Sequence, residues 1–367
     1  MKIPTTFILL ISIYTVINAQ VKELNIGAMV QPVPESYVFQ DPSYFIWGGS
    51  VVEGKDGKYH MLYARWPKTL GFSAWVTDSE IAHAVADKVE GPYETSGTVL
   101  KRRNHLFWDG MATHNPTVIE KDGKYYLYYM GTTGPENIKR PTSTQHKSWW
   151  TYRNNQRIGV AVADNPQGPW ERFNKPVLDV SNTPGAYDEL MTSNPSVTYN
   201  NEGEFIMTYK AVDKNKEKPN GTRVRFLVAF AEHPTGPFVK EERPIFETPD
   251  SKELHMVAED PYIWFHDRKY NAVVRDVVGK FTGDTGALAL LESKDGKDWK
   301  PSKYAKVLGS KFKWANGELS GAKLERPQLF IKDGIPKFLF GATSLGINGA
   351  RTASGNVRLQ LLDPSKN

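Results

Sequence analysis

The chain has 367 residues, is 40% hydrophobic and 12% aromatic, and carries a formal charge of +5. That length suits one large all-β domain or two ordinary ones, and that apolar content excludes general disorder. There is no cysteine, which excludes disulfides and thiolate metal sites, and so modest a charge does not demand nucleic acid as a partner.

In chain order, the first segment is MKIPTTFILLISIYTVINAQ, with a Lys near the start and an apolar stretch from Phe7 to Ile13. It ends in Ile-Asn-Ala before Gln20 and reads as a secretory signal (1–19) cleaved after Ala19, leaving 20–367 as one mature domain. The apolar stretch is too short for a comfortable membrane span, and no Cys follows it to carry a lipid anchor. Export without disulfides points to a bacterial periplasmic or secreted protein. In that setting the sequon Asn220-Gly221-Thr222 is coincidental. No Lys/Arg-rich run with interleaved aromatics is present, so neither nucleic acid nor membrane is an expected partner.

A repeat then begins. WGGSVVEGKDGKYHMLYAR (47–65), HNPTVIEKDGKYYLYYMG (114–131), SNPSVTYNNEGEFIMTYK (193–210), EDPYIWFHDRKYNAVVRD (259–276) and ERPQLFIKDGIPKFLFGA (325–342) share one pattern. Each is a β-rich run, a turn of Asp, Asn or Gly, and a second β-rich run, which is the hairpin signal. A third strand follows most of them, as in IAHAVADKVEGPYE (81–94), IGVAVADNPQGPWE (158–171) and VAFAEHPTGPFV (228–239). LALLESKDGKDWK (288–300) is a variant, and VRLQLLD (357–363) supplies that strand for the last unit. Five such units predict an all-β, five-bladed β-propeller. A sixth blade is open only to the segment before Trp47. Insertions at 66–80 and 132–157 fall between second and third strands.

In a propeller the first strand of each blade lies innermost, so its start and the end of the second strand share the channel mouth. The inner ring there is Gly48, Asn115, Asn194, Asp260 and Arg326, preceded by Trp47, His114, Ser193, Glu259 and Glu325. The second strands end in Arg65, Lys210, Arg275 and Asp276. The insertions add Trp66, Trp75, Trp149, Trp150, Tyr152 and Arg153. Polar groups converging among aromatics describe a carbohydrate site. WDGMATHNP (108–116) and YDELMTSNP (187–195) also align without gaps, placing Asp109 opposite Asp188. Asp caps turns well, so that match is open between a site role and a turn role.

The X-Asp/Asn-Pro starts, Asp-Gly-Lys-Tyr-Tyr turns and Gly-Pro-Trp strand ends resemble the five-bladed β-propeller glycoside hydrolases around family 43, with relatives in families 32, 62 and 117. The resemblance runs from about Tyr44 to Leu362. It implies three carboxylates: a base Asp on blade one, a modulating Asp on blade three, and an acid Glu in Glu-X-Pro on blade four. Glu259-Asp260-Pro261 matches the last, which makes Glu259 the candidate acid. Gly48-Gly49 and Asn194 depart from the other two. Candidate replacements are Asp109 and Asp188, with Asp41 further off, while Glu325 and Asp276 also face the mouth. Some family 117 relatives use a His as acid, which keeps His114 a candidate.

Asp260 reads as a hydroxyl ligand or a strand-start cap, and Asn115 and Asn194 as substrate or inter-blade ligands. Arg326 either neutralises Asp260 or binds an acidic substrate. Arg65, Lys210 and Arg153 point to an anionic sugar, sulfated or uronic, and Trp47, Trp149 and Trp150 to stacking. No His pair has metal-ligand spacing, so no cofactor is expected, with room left for a structural Ca²⁺ in the channel as in some relatives. The reading implied is an exported, exo-acting, inverting glycoside hydrolase of plant or algal polysaccharide. The alternatives are a carbohydrate-binding propeller that has lost hydrolysis, or another sugar-active chemistry such as a lyase. Nothing in the sequence fixes the oligomeric state.

Overall fold

A computed structural model of the chain describes residues 23–135 and 143–364. The expected export signal, 1–19, lies outside the described residues. After a short helix α1 (Ile26–Met29) and a strand β1 (Val38–Gln40), blade one comprises β2 (Tyr44–Glu53), β3 (Tyr59–Pro67), β4 (Glu80–Ala86) and β5 (Glu94–Leu100). Blade two is β6 (Ala112–Lys121), β7 (Lys124–Thr132), β8 (Arg157–Ala163) and β9 (Glu171–Arg172). Blade three is β10 (Met191–Tyr199), β11 (Phe205–Val212), β12 (Val224–Ala231) and β13 (Val239–Lys240). Blade four is β14 (Ala258–His266), β15 (Lys269–Asp276), β16 (Ala287–Ser293) and β17 (Lys300–Leu308). Blade five is β18 (Glu325–Lys332), β19 (Ile335–Ser344) and β20 (Ser354–Gln360), completed by β1.

These are five four-stranded antiparallel sheets, the expected five-bladed propeller. Among the described residues, the segment before Trp47 founds no sixth blade. It pairs β1 with β20, Val38 opposite Val357, as the outer strand of blade five. Phe39 of β1 also meets Tyr63 of blade one edge-on at 5.0 Å, so the closing strand ties two blades together.

Both faces of each sheet are covered, which is why the middle strands are apolar almost throughout rather than alternating. One buried apolar cluster lies between each pair of neighbouring blades around the ring. The aromatics of Gly-Pro-aromatic belong to this packing. The Tyr93 hydroxyl donates to the Val89 carbonyl and Trp170 Nε1 to the Pro166 carbonyl, each at 3.0 Å.

The inner strands share an irregularity. In every blade the register between first and second strands slips by one residue, between Trp47 and Ser50, His114 and Thr117, Ser193 and Ser196, Glu259 and Tyr262, and Glu325 and Gln328. The extra residue makes a β-bulge, and within it Gly48, Asn115, Asn194, Asp260 and Arg326 adopt φ between +49° and +55°. Four of the five are followed by proline, whose missing N–H suits a position where the ladder is interrupted. Small hydroxyls just beyond the bulge bind neighbouring blades: Ser50 Oγ accepts from the Val118 N–H at 3.1 Å, and Ser196 Oγ from the Ile263 N–H at 2.9 Å.

Phe39 is buried among Tyr63 and Phe340 at the closing seam. Phe39→Ala is expected to destabilise the fold by about 3 kcal/mol in urea unfolding, as for other large-to-small changes in a packed core.

Candidate active site

The bulges aim five side-chain positions at one end of the channel and build its floor. Asn115 Nδ2 donates to Asn194 Oδ1 at 2.8 Å, and Asn194 Nδ2 donates to Asp260 Oδ1 at 2.6 Å. Ser193 Oγ donates to the same Asn194 oxygen at 2.8 Å. From blade five, the Arg326 guanidinium reaches Asp260 Oδ1 at 3.5 Å and the Asn115 carbonyl at 3.2 Å. A Cβ on Gly48 would meet Arg326 Cγ at 3.5 Å. Arg326 therefore lies alongside the place where an acidic side chain of blade one would stand. Burial pushes the Arg326 guanidinium down in pKa, and the charge of Asp260 opposes that fall.

Above this floor is a cavity of about 340 Å³. One wall is aromatic: Trp47, Trp66, Phe72, Trp75 and Trp149. The blade-one insertion carries a short helix α2 (Trp75–Asp78), and the blade-two insertion carries α3 (Lys147–Asn154). They pack on each other, with Trp75 edge-on to Trp149 at 5.6 Å and Trp149 Nε1 donating to the Ser73 carbonyl at 3.0 Å. Trp75 also stacks on His114 at 5.0 Å, and His114 Nδ1 lies 2.8 Å from Ser79 Oγ. Burial, with Arg326 nearby, lowers the His114 pKa to about 3, so the imidazole is neutral at neutral pH.

The rest of the lining is mostly charged. Glu259 Oε1 accepts from Lys210 Nζ at 2.9 Å, and Oε2 is paired with Arg275. Glu325 faces Lys323 at 3.4 Å. Arg351 lies over the Phe72 ring at 4.7 Å, and Arg153 Nη1 donates to the Asn220 carbonyl at 3.2 Å. Five cations thus line the cavity against three carboxylates. Burial lowers Lys210 to about 8, opposed by Asp260 and reinforced by Arg153, Arg275 and Arg326. Burial alone brings Arg153 to about 10. Among the described residues, no group of three or more His, Asp and Glu side chains is arranged to hold a metal ion.

Of the residues expected at the mouth, the cavity brings together Glu259, Asp260, Glu325, Trp47, His114, Asn115, Asn194, Lys210 and Arg153. Arg326 lies beneath, 1% exposed. Asp109 and Asp188 are elsewhere, fully enclosed in their own blades. Asp109 accepts from Tyr129 at 2.8 Å and from Arg103 Nε at 2.8 Å, with Arg172 at 3.4 Å. Asp188 accepts from Tyr209 at 3.3 Å and pairs with Lys240 at 2.5 Å. In both blades the carboxylate joins a second-strand tyrosine to a fourth-strand cation, which accounts for the matched spacing.

Asp276 anchors its own loop, accepting from the N–H groups of Lys280, Phe281 and Thr282 at 2.8–2.9 Å. Arg65 is bound to Glu80 and Thr98 under Tyr44, and Trp150 backs Trp149 rather than lining the cavity. Phe72, Gln156, Met191, Lys323 and Arg351 line it without having been singled out by sequence. Arg351 sits in the loop between the second and third strands of blade five, the position that carries the insertions in blades one and two.

An unfolded chain binds a proton on His114 below pH 6.5, which the folded chain refuses until about pH 3. Stability is therefore lost as pH falls through that window, by up to about 1.4 kcal/mol per pH unit for one histidine. His114→Asn is expected to shallow the acid limb of a stability–pH curve by that amount, read by urea denaturation at stepped pH.

No protein-family model matches the chain. Over 99 residues, 24% of this chain, it is 33% identical to the extracellular endo-alpha-(1->5)-L-arabinanase 2 of Bacillus subtilis (strain 168), a match spanning 20% of that protein's length. Among solved structures it resembles Zg3597, a family 117 glycoside hydrolase produced by the marine bacterium Zobellia galactanivorans. The TM-score is 0.62 at 17% identity, over 92% of this chain and 93% of that one. A thermostable family-43 glycoside hydrolase superposes with a TM-score of 0.58 at 12% identity, over 89% and 96% of the two chains. The chain has the fold of the five-bladed β-propeller glycoside hydrolases of families 117 and 43, the group that its sequence motifs resemble.

Proposed function

We propose that the protein is an exported, exo-acting glycoside hydrolase that removes anionic sugar residues, uronic or sulfated, from plant or algal polysaccharide. The observation that carries this reading is the cavity itself. Three carboxylates and a set of aromatic side chains line one channel mouth in a fold that family 117 and family 43 hydrolases share. Aromatic faces stack on sugar C–H surfaces, and the carboxylates and asparagines suit hydroxyls. The packed insertions of blades one and two close one side, which favours a chain end over the middle of a polymer. The excess of cations over carboxylates favours a negatively charged sugar.

In the proposed reaction Glu259, protonated, gives its proton to the glycosidic oxygen as the C–O bond breaks with its electron pair on that oxygen. A water oxygen bonds to the anomeric carbon from the opposite face, and its proton passes to a second carboxylate. With Asp109 and Asp188 enclosed in their blades, Glu325 takes that role, while Asp260, held by Asn194 and Arg326, orients a hydroxyl. Inversion needs the two carboxyl groups ~6.5–9.5 Å apart with the water between them.

The second reading, a propeller that binds carbohydrate without hydrolysing it, draws on Gly48 and Asn194 at family carboxylate positions and on the double ion pair of Glu259.

A panel of aryl glycosides and algal and plant oligosaccharides, including uronides and sulfated sugars, separates the two. The wild-type protein is expected to release a monosaccharide whose first-formed anomer, by proton NMR, is inverted. Glu259→Gln is expected to lower turnover ~10²–10⁴-fold while keeping substrate affinity. Asp109→Asn is expected to lower stability and leave the activity of the folded fraction near wild type. Unchanged turnover in Glu259→Gln would remove the acid assignment, and retention of glycans without release of any sugar would favour the binding reading.

A further inference from the structure

Glu259 is the one cavity carboxylate with two ion pairs among the described residues, and it is the one the proposed reaction needs protonated. Its two oxygens are taken by Lys210 and Arg275. A carboxylate between two cations favours its charged form, which cannot act as an acid. Both cations line the cavity and carry donors that Glu259 does not use. Lys210 has three N–H groups, one of them bonded to Glu259. Arg275, 6% exposed, has a buried Nε without a hydrogen-bond partner. A buried donor left unpaired is costly and is a place for a ligand oxygen.

We propose that the anionic group of the substrate sugar, a carboxylate or a sulfate, engages Lys210 and Arg275 and thereby releases Glu259 to take up the proton it later delivers. The inference rests on the hydrolase reading and adds a control to it: the acid is armed only when a negatively charged sugar is bound. Two effects act in the same direction. The cations are drawn away from Glu259, and a new negative charge is set beside it, and each raises the proton affinity of a carboxylate. A neutral sugar does neither. It would find Glu259 still ionised, so selectivity would appear in turnover as well as in affinity.

The remaining charged groups around Glu259 keep their partners in this scheme. Asp260, next in its own strand, stays with Asn194 and Arg326. Glu325 from β18 faces Lys323, and Arg153 from α3 holds the Asn220 carbonyl. At about pH 6 His114 is neutral and Lys210 is already protonated, so neither takes up a proton there. A proton taken up on binding at that pH reports a carboxylate.

Isothermal titration calorimetry in two buffers of different ionisation enthalpy measures that proton directly and does not depend on hydrolysis. The probes are galacturonate, galactose 6-sulfate and galactose. Wild type is expected to bind both charged sugars with uptake of a large fraction of one proton, and galactose with none. Glu259→Gln is expected to bind the charged sugars without uptake. Lys210→Met and Arg275→Met are expected to weaken charged-sugar binding at least ~10-fold more than they weaken galactose binding. Engagement of only one of the two anions identifies which group the cations select and upholds the proposal. Charged sugars that fail to bind, that bind no better than galactose, that bind without proton uptake, or whose uptake persists in Glu259→Gln overturn it. Proton uptake without hydrolysis of any glycoside overturns the hydrolase reading alone.

Discussion

At one point in each inner strand, a residue with φ near +50° slips an extra position into the ladder. An unbroken strand sends alternate side chains to opposite faces, so only one of two neighbours can look into a channel. The bulge breaks that alternation, and His114 with Asn115, and Glu259 with Asp260, both reach the cavity as adjacent pairs. The paired groups of blades two and four at the mouth depend on this device. Non-glycine residues in this region of φ are uncommon and are held there by their surroundings. Here the surroundings are the mutual hydrogen bonds of Asn115, Asn194, Asp260 and Arg326.

The same ring explains how blade one can lack a carboxylate. Arg326 lies beside Gly48, so its positive charge occupies the sector that an acidic residue fills in the pattern the sequence resembles. A buried guanidinium needs a counter-charge, and Asp260 provides it. Asp260 is thereby committed to the floor, and the carboxylates above it, Glu259 and Glu325, are left among Lys210, Arg275 and Lys323. The mouth has become a cation-rich site with acids embedded in it.

The propeller was legible because its signals are periodic: five hairpins, their turns, and the Gly-Pro-aromatic ends that pack between blades. Glu259 and Asp260 were legible because they occupy the repeated strand start and match the Glu-X-Pro that the resemblance implies. Periodicity misled where it reported packing. Asp109 and Asp188 match because both blades tie a tyrosine to an outer cation, a structural bond that any blade can use. Arg65 and Asp276 sit at strand ends that approach the mouth, but local partners hold their side chains, and strand position does not encode partner choice. Phe72, Lys323 and Arg351 come from loops, where no repeat marks which side chain turns inward.

The seam of β1 against β20 joins residues near opposite ends of the described chain. Contacts so distant in sequence form slowly, since a long loop must be closed before they return any stability. Arg326 belongs to the blade that this seam completes. The guanidinium that joins Asp260 to the Asn115 carbonyl comes from blade five, so the binding floor is complete only with that blade in the ring. A partly folded chain would therefore carry blades but no working mouth, and sugar binding would report ring closure directly.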